Sequence, residues 1–591
     1  MTEEYYKKNL ADITGEIKII KNRSHALIYI KLLAFISFAY TTWTWITDGE
    51  NICLSIVSIT IYVLSYIYDR SIQDKISTLK IKKNVFSNEA KALKGDFNAF
   101  EQGDEYIDSR HEYSFDLDIF GKDSLFNRIS RCISGIGSQT LAKKLNTPYL
   151  NKTGIVNSQE AVKDLSSKIE WCWDFISREY IESQINERMK YICDTEKDEA
   201  DAHLFCTWKF HIIWTLPLLI FWTIFIGNIL GYVDDVLLGI VFIFNITYVN
   251  IFSKTRKRLF KEACAMRKEF GSYKDILRHI ERESFQSELL KEQHKILFNE
   301  KADSLYALKQ VYKILTNIEL RDNMVMNIIS EGFYLSDILM IRLYLKWKEK
   351  YIPHLPLWTK SIAEFDSHVS MGIYAFNHPS NTFPTFADEN TIIEAKSIYH
   401  PFLAKDKAVG NDFHQKKGEI FIITGANMAG KSTMLRTIGT NMIMAGCGMP
   451  VCAESFAYTP SHIFSNMRTS DDLSKNISYF NAELLRLQQL IKFCNSCEHT
   501  YIILDEILKG TNSEDKLKGS RLFLEHTAML NVTGIIATHD LALSKMENEG
   551  EQYKNYCFEI EMSKDIKYSY KITEGVARNM NATYLLTQIL K

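Results

Sequence analysis

EIFIITGANMAGKS, residues 419–432, is the stretch that decides the fold of the last third of this chain. EIFIIT is a short apolar run of strand type. It leads directly into Gly425-Ala-Asn-Met-Ala-Gly430-Lys431-Ser432, which fits G-x-x-x-x-G-K-[ST] in full, and a helix is predicted from about Ser432. The backbone N–H groups of such a loop, together with the N-terminus of the next helix, surround a phosphate. Lys431 would neutralise the β and γ phosphates of a nucleotide, and Ser432 would ligate Mg²⁺.

The same alternation recurs farther along. YIILD (501–505) and GIIAT (534–538) are apolar runs followed by polar residues and a helical segment, which predicts a parallel sheet with crossover helices from about Thr391 onward. Asp505 and Glu506 end the first of these strands. Asp505 would hold the Mg²⁺ shell, while Glu506, one residue beyond, would orient and deprotonate an attacking water. His539 ends the next strand, where it would reach the γ-phosphate. Cys494 and Cys497 lack a second pair and read as ordinary thiols.

Upstream the pattern differs. Pro (9) and Gly (26) are sparse against a usual combined share of ~12%, which favours long helices. Lys plus Arg (70) nearly equals Asp plus Glu (72), so the net charge of −2 excludes binding of nucleic acid by bulk charge. Eleven scattered Cys exclude a disulfide scaffold. The mean hydropathy of −0.15 hides four apolar stretches in two pairs. The first pair lies in 26–70 with the turn Asp48-Gly49-Glu50-Asn51, the second in 208–253 with the turn Asp234-Asp235. An 18-residue helix covers about 27 Å of a roughly 30 Å bilayer core, and neither turn carries a basic residue while both flanks do. The expectation is two transmembrane hairpins, four spans, with both termini cytoplasmic. The span before Asp48 reaches back to Ala26 if Lys31 snorkels, and Trp43, Trp45, Tyr66 and Tyr68 fit interfacial anchoring. Residues 71–206 and 254–350 read as mostly helical. The basic run Arg256, Lys257, Arg258, Lys261, Arg267 and Lys268 fits DNA phosphates or, as the favoured of the two, anionic headgroups.

Taken together, TGANMAGKSTMLRTIG (424–439), SDDLSKNISYFNAE (470–483), LDEILKGTNSED (504–515) and ATHD (537–540) resemble the ATPase domain of the MutS family, a branch of the ABC-type ATPases. The order and approximate spacing are the family's. The resemblance implies ATP and Mg²⁺ as cofactors and a nucleotide site made of Gly425, Asn427, Gly430, Lys431, Ser432 and Thr433, with Ser432 and Asp505 on the metal and Lys431, Glu506 and His539 in catalysis. It also implies that Ser478, in S-Y-F-x-x-E, is offered to the γ-phosphate of the opposite subunit, hence a homodimer with two ATPs at the interface. More weakly, residues 123–148 are similar to the start of the family's helical core, and 361–376 to its last lever segment.

The chain departs from that pattern at several points. Ala426 and Ala429 replace the loop's usual Pro and second Gly, Asn476-Ile477 the Gly-Arg before the trans serine, and Leu508-Lys509 the Gly-Arg after the acidic pair. Ala408-Val409 stand where the family commonly has an aromatic near adenine. No G-x-F-[YF]-E occurs; Gly332-Phe333-Tyr334-Leu335 lacks the Glu, so mismatch recognition is not carried over. The second hairpin falls roughly where the family inserts its DNA clamp.

The expected organisation is a cytoplasmic segment (1–25), a first hairpin (26–70), a helical core (71–207), a second hairpin (208–253), a helical lever and core (254–390), and an α/β P-loop ATPase domain of ABC type (391–591). The expected activity is a membrane-anchored ATPase in which ATP binding closes the dimer and hydrolysis reopens it, linked to DNA repair or processing of irregular DNA. The alternative is a DNA-independent membrane ATPase for transport, remodelling or signalling. Membrane lipid is an expected partner and DNA a candidate one.

Overall fold

A computed structural model describes residues 2–49, 51–178, 201–265, 267–300, 302–319, 324–468, 479–530, 532–562 and 566–578. The chain divides into two compact units, one of residues 1–131, 139–177 and 367–591, the other of 132–138 and 178–366.

The first unit begins with two long antiparallel helices, α1 (Thr2–Asp48) and α2 (Ile52–Ala92). Near the Asp48 turn their seam is polar, where Ser37 meets Ser58 at 2.9 Å and Ser55 donates to Thr41 at 2.9 Å, while Ile20, Ile72 and Ile76 pack together farther from it. The outward faces carry Leu32, Leu33, Phe35, Trp43, Leu64 and Ile67, all exposed. A water-soluble helix pair has the opposite arrangement, apolar within and polar outside. Lys31 is paired within the hairpin. Its Nζ lies 2.7 Å from Asp69, whose other oxygen accepts from Ser24 at 2.8 Å.

Of the mostly helical stretch, the segment just after α2 departs from the pattern, and helices resume at Leu125–Ile129, Gly135–Asn146, Lys152–Ser167 and Ile169–Ile176. Residues 93–124 are turns and one short 3₁₀ helix (Asp104–Tyr106), with Gly95, Gly103 and Gly121 all at positive φ. This segment docks through Asp116, which accepts from Ser465 Oγ (2.8 Å) and from the Met467 (3.1 Å) and Arg468 (2.9 Å) backbone N–H groups.

The α/β part of this unit holds two sheets. The larger has the order β12 (Ile566–Glu574), β11 (Tyr553–Met562), β6 (Ile420–Gly425), β10 (Thr533–Ala537), β9 (Thr500–Asp505), β8 (His462–Asn466). Its five strands from β11 to β8 run parallel, and β12 is antiparallel to β11. The expected parallel sheet is therefore mixed at its edge, because β11 and β12 are joined by a short connection instead of a crossover. The smaller sheet has the order β3 (Thr385–Phe386), β7 (Ser455–Tyr458), β4 (Thr391–Ile398), β5 (Asn411–Lys416), mostly antiparallel. The α-helices of this part among the described residues include α6 (Lys431–Gly446), α7 (Tyr479–Ser496) and α8 (Ser513–Met529). Ile422, Ile502, Leu504 and Ile536 are buried among the core residues of the large sheet, each worth roughly 1.5–3 kcal/mol on full burial.

In the second unit, α3 (Leu216–Ile229) and α4 (Asp235–Tyr248) form the other hairpin. A π-helical turn, His211–Thr215, precedes α3. Pro217 lacks the N–H that the preceding α-helical turn would need, and the backbone widens there. A third apolar helix, α5 (Met324–Tyr334), packs on this pair: Phe333 lies edge-on to Phe221 and Phe242, and Asn245 Nδ2 donates to Gly332 O at 2.9 Å. With α1, α2 and the α3 and α4 regions, four helices among the described residues are long and apolar enough to cross a membrane. A small hairpin, β1 (Phe298–Asn299) with β2 (Ala302–Asp303), lies in the same unit. The basic run is partly neutralised within the unit, since Arg256 pairs with Asp337 (2.9 Å) and Arg258 with Asp201 (2.6 Å).

Candidate active site

Parallel register brings the three strand ends together. Ala537 on β10 lies opposite both Asp505 on β9 and Ile423 on β6, so the residues that follow each strand emerge at one edge. The ladder continues past the strands: Glu506 N donates to Ala537 O and Thr538 N to Ile423 O, each at 2.9 Å. This edge is where open parallel α/β sheets place their ligands.

The loop after β6 closes onto α6 through Gly430, whose φ of 112° an L-residue rarely adopts; a Cβ there would meet no atom closer than 3.4 Å. Conformation, not space, calls for glycine. Lys431, the first residue of α6, turns back over the loop. Its Nζ donates to Gly425 O (2.8 Å) and Ala426 O (3.0 Å) and lies 3.3 Å from His539 Nε2. Burial lowers the Lys431 pKa, with Asp505 and Glu506 opposing the shift. Ser432 Oγ donates to Asp505 Oδ2 at 2.6 Å. Asn427 is exposed in the loop, and Thr433 is exposed on the first turn of α6.

Glu506 holds the centre. His539 Nε2 is 3.6 Å from its Oε1, and Lys516 Nζ is 3.6 Å from its Oε2. Burial first, then the Lys431 charge, lowers the His539 pKa below its ordinary value, so the imidazole is neutral at pH 7 and Nε2 can accept from Lys431. Glu506 takes φ 56° and Leu508 φ 58°, the left-handed region. Leu508 stands where the family resemblance has glycine, and it adopts the conformation that glycine takes freely. Its side chain is buried in the sheet's core beside Gly519.

Gly425, Gly430, Lys431, Ser432, Asp505, Glu506 and His539 therefore share one edge of the sheet. Ser478 lies outside the described residues. Three features were not read from the sequence. Lys516, on the first turn of α8, reaches Glu506; Asn512 fixes that turn by accepting from Asp515 N at 2.9 Å. A pocket of about 310 Å³ adjoins Gly430 and Thr433, with His400, Val409, Phe558 and Tyr570 in its walls. Tyr570 arrives from β12, more than a hundred residues after the loop, and no local signal marks it. Among the described residues, no group of three or more His, Cys, Asp or Glu side chains is placed to hold a metal ion. Cys494 is buried in the core of the large sheet, and neither it nor Cys497 is in a disulfide.

Residues 421–584 match the family model MutS domain V. The chain is 32% identical over 239 residues to the DNA mismatch repair protein MutS of Acetivibrio thermocellus, covering 39% of this chain and 27% of that protein. It is 33% identical over 216 residues to the DNA mismatch repair protein MutS of Clostridioides difficile (35% and 22%) and 31% identical over 210 residues to the MutS protein homolog 4 of Mus musculus (34% and 21%). The chain spans about a quarter of the length of these curated relatives. The similarity to MutS domain V lies in this C-terminal region.

Proposed function

We propose that the chain is a membrane-anchored ATPase whose domain V binds and hydrolyses ATP, closing a homodimer, with a role linked to DNA repair or irregular DNA. The observation that carries the ATPase reading is the convergence of Lys431, Ser432, Asp505, Glu506 and His539 at the ends of three parallel strands. Mg²⁺ fits the donor set, because the Ser432 hydroxyl and the Asp505 carboxylate are hard oxygen ligands that meet at the loop. When bound, the ion neutralises charge on the phosphates.

Lys431 must exchange the Gly425 and Ala426 carbonyls for phosphate oxygens, a charge-assisted contact that its desolvated ammonium favours. Glu506 orients a water and takes its proton as the water oxygen attacks the γ-phosphorus and the bond to the ADP oxygen breaks. Neutral His539 offers a hydrogen-bonding ring at the same place without adding charge beside Lys431. The pocket next to Gly430 has the size and apolar walls for a base, with Tyr570 and Val409 in place of the aromatic of the family pattern.

The second reading is a DNA-independent membrane ATPase; the polar contacts near the turn and the apolar exterior of α1 and α2 support the membrane setting that both readings share. Small hydroxyl residues between helices and large apolar ones outside suit lipid as the surrounding solvent. In this reading and the first, the four long apolar helices form two transmembrane hairpins, with both termini and domain V cytoplasmic. ATPase rates of the full chain in nanodiscs, with and without homoduplex, mismatched and branched DNA, separate the two. Stimulation by mismatched or branched DNA supports the repair role, and an unchanged rate with all three supports the second reading.

A further inference from the structure

A second cavity, of about 350 Å³, lies in the first unit beside the base pocket, and Tyr399 and Leu403 line both. Its wall comes from the C-terminal end of α2, the segment 128–131, residues 373–380 and the loop 401–405. No Asp or Glu lines it, whereas Lys94, Arg128, Arg131 and Lys405 do. Glu89 answers the charge of Arg131, whose guanidinium also lies 3.6 Å from the Phe100 ring centroid.

Arg128 is placed differently. Its guanidinium is clamped between Phe97 and Phe402, 4.6 Å from each ring centroid, and its one hydrogen bond among the described residues is from Nε to Asp123 O at 3.2 Å. The two terminal amino groups, the fork that grips an oxyanion in parallel, have no partner among the described residues. Tyr374 provides the independent sign. It is only 4% exposed, and its hydroxyl makes no hydrogen bond, with just the weakly polar Cys452 thiol beside it. A buried hydroxyl without a partner costs about 1–3 kcal/mol. Arg128 and Tyr374 both line this cavity.

We propose that this cavity binds a small soluble phosphomonoester, its phosphate held by Arg128 and Tyr374 and its organic part against Ile373, Pro401 and Leu403. A dianion matches a wall with several cations and no carboxylate better than a single negative charge does. Reach disfavours a lipid headgroup as the source: Ala92 lies about 33 Å along α2 from Arg70, at 1.5 Å per residue. Because Tyr399 and Leu403 are shared walls, occupancy alters nucleotide affinity, and by linkage the nucleotide alters phosphomonoester affinity equally. That last clause alone rests on the ATPase reading.

The test uses the full chain carrying Lys431→Ala, which weakens the phosphate loop as a competing site, in nanodiscs of phosphatidylcholine alone. Calorimetric titration with phenyl phosphate is expected to show one saturable site per chain. Tyr374→Phe and Arg128→Gln should each weaken it about tenfold, the scale of a hydrogen bond to a charged group. Arg128→Gln removes packing between two rings and risks the fold, whereas Tyr374→Phe deletes only an unpartnered buried atom and should raise the melting temperature. Absence of saturable binding to the folded protein, or an unchanged Kd in Tyr374→Phe, would overturn the proposal. Displacement of phenyl phosphate by phosphatidic acid in the nanodisc would overturn its soluble source. ATP binding by the parental chain is measured separately, so failure of the nucleotide reading and failure of this one are distinguishable.

Discussion

Ser432 Oγ and Asp505 Oδ2 lie 2.6 Å apart, joining the first turn of α6 to the end of β9 across 73 residues of sequence. The bond is exposed, so its loss costs little stability; its value is in presenting two oxygens side by side. Asp505→Asn keeps the shape and removes the charge. The expected result is a Mg²⁺ requirement for ATP turnover raised by about 10–100-fold with an unchanged melting temperature. Turnover measured against Mg²⁺ concentration at fixed ATP checks this, and a parental Mg²⁺ profile would remove Asp505 from the metal shell.

Lys431 and Glu506 divide binding from chemistry. Lys431→Ala deletes a charge-assisted contact and should weaken ATP binding by about 10–100-fold. Glu506→Gln keeps the side chain's size but cannot accept the water proton, so kcat should fall by about 10²–10⁴-fold while ATP binding persists. Nucleotide binding by fluorescence and single-turnover hydrolysis separate the two variants. A Glu506→Gln chain that hydrolyses ATP at the parental rate would give the base role to another group.

Acid should loosen the base pocket through His400. Burial, and then the positive charges of Arg436 and Arg128, push its pKa down to about 4. The folded state thus holds His400 neutral while the unfolded chain protonates it near pH 6.5. The contribution is complete above pH 6.5 and is lost as the pH falls toward 4, on the order of 3 kcal/mol in all. His400→Asn should flatten the dependence of thermal stability on pH between 6.5 and 4. An equally steep dependence in the variant would assign the acid sensitivity elsewhere.

Much of this site was legible before the structure because its parts are local. EIFIIT, YIILD and GIIAT became β6, β9 and β10 to within a residue, each an apolar run bounded by polar residues, and the residue after each strand inherits its place from the parallel register. Tyr570, His400 and Lys516 were not legible, since each reaches the site by tertiary placement from an element with no pattern of its own. Residues 93–124 misled because Lys and Leu at helical spacing surround them, while Gly95, Gly103 and Gly121 set the actual path. Residues 324–334 were read as helical, but not as an apolar partner of α3 and α4, because the run is only 11 residues, short of a span, and that packing is not written in its own periodicity.

That packing gives the last test. A Cβ built on Gly332 would lie 2.0 Å from one carbon of the Phe242 ring and 2.3 Å from another, so even Ala forces the ring or the helix to move. Phe242 has little freedom to yield, because Phe221 and Phe333 lie against it at 6.3 and 5.4 Å between ring centroids. Overpacking of this kind costs about 1–3 kcal/mol. Gly332→Ala should therefore lower the melting temperature of the detergent-solubilised chain, and pairing it with Phe242→Leu, which frees the ring's volume, should restore part of the loss. The double variant discriminates: if Phe242→Leu brings no recovery beyond the sum of the single changes, then α5 does not meet α4 at this contact.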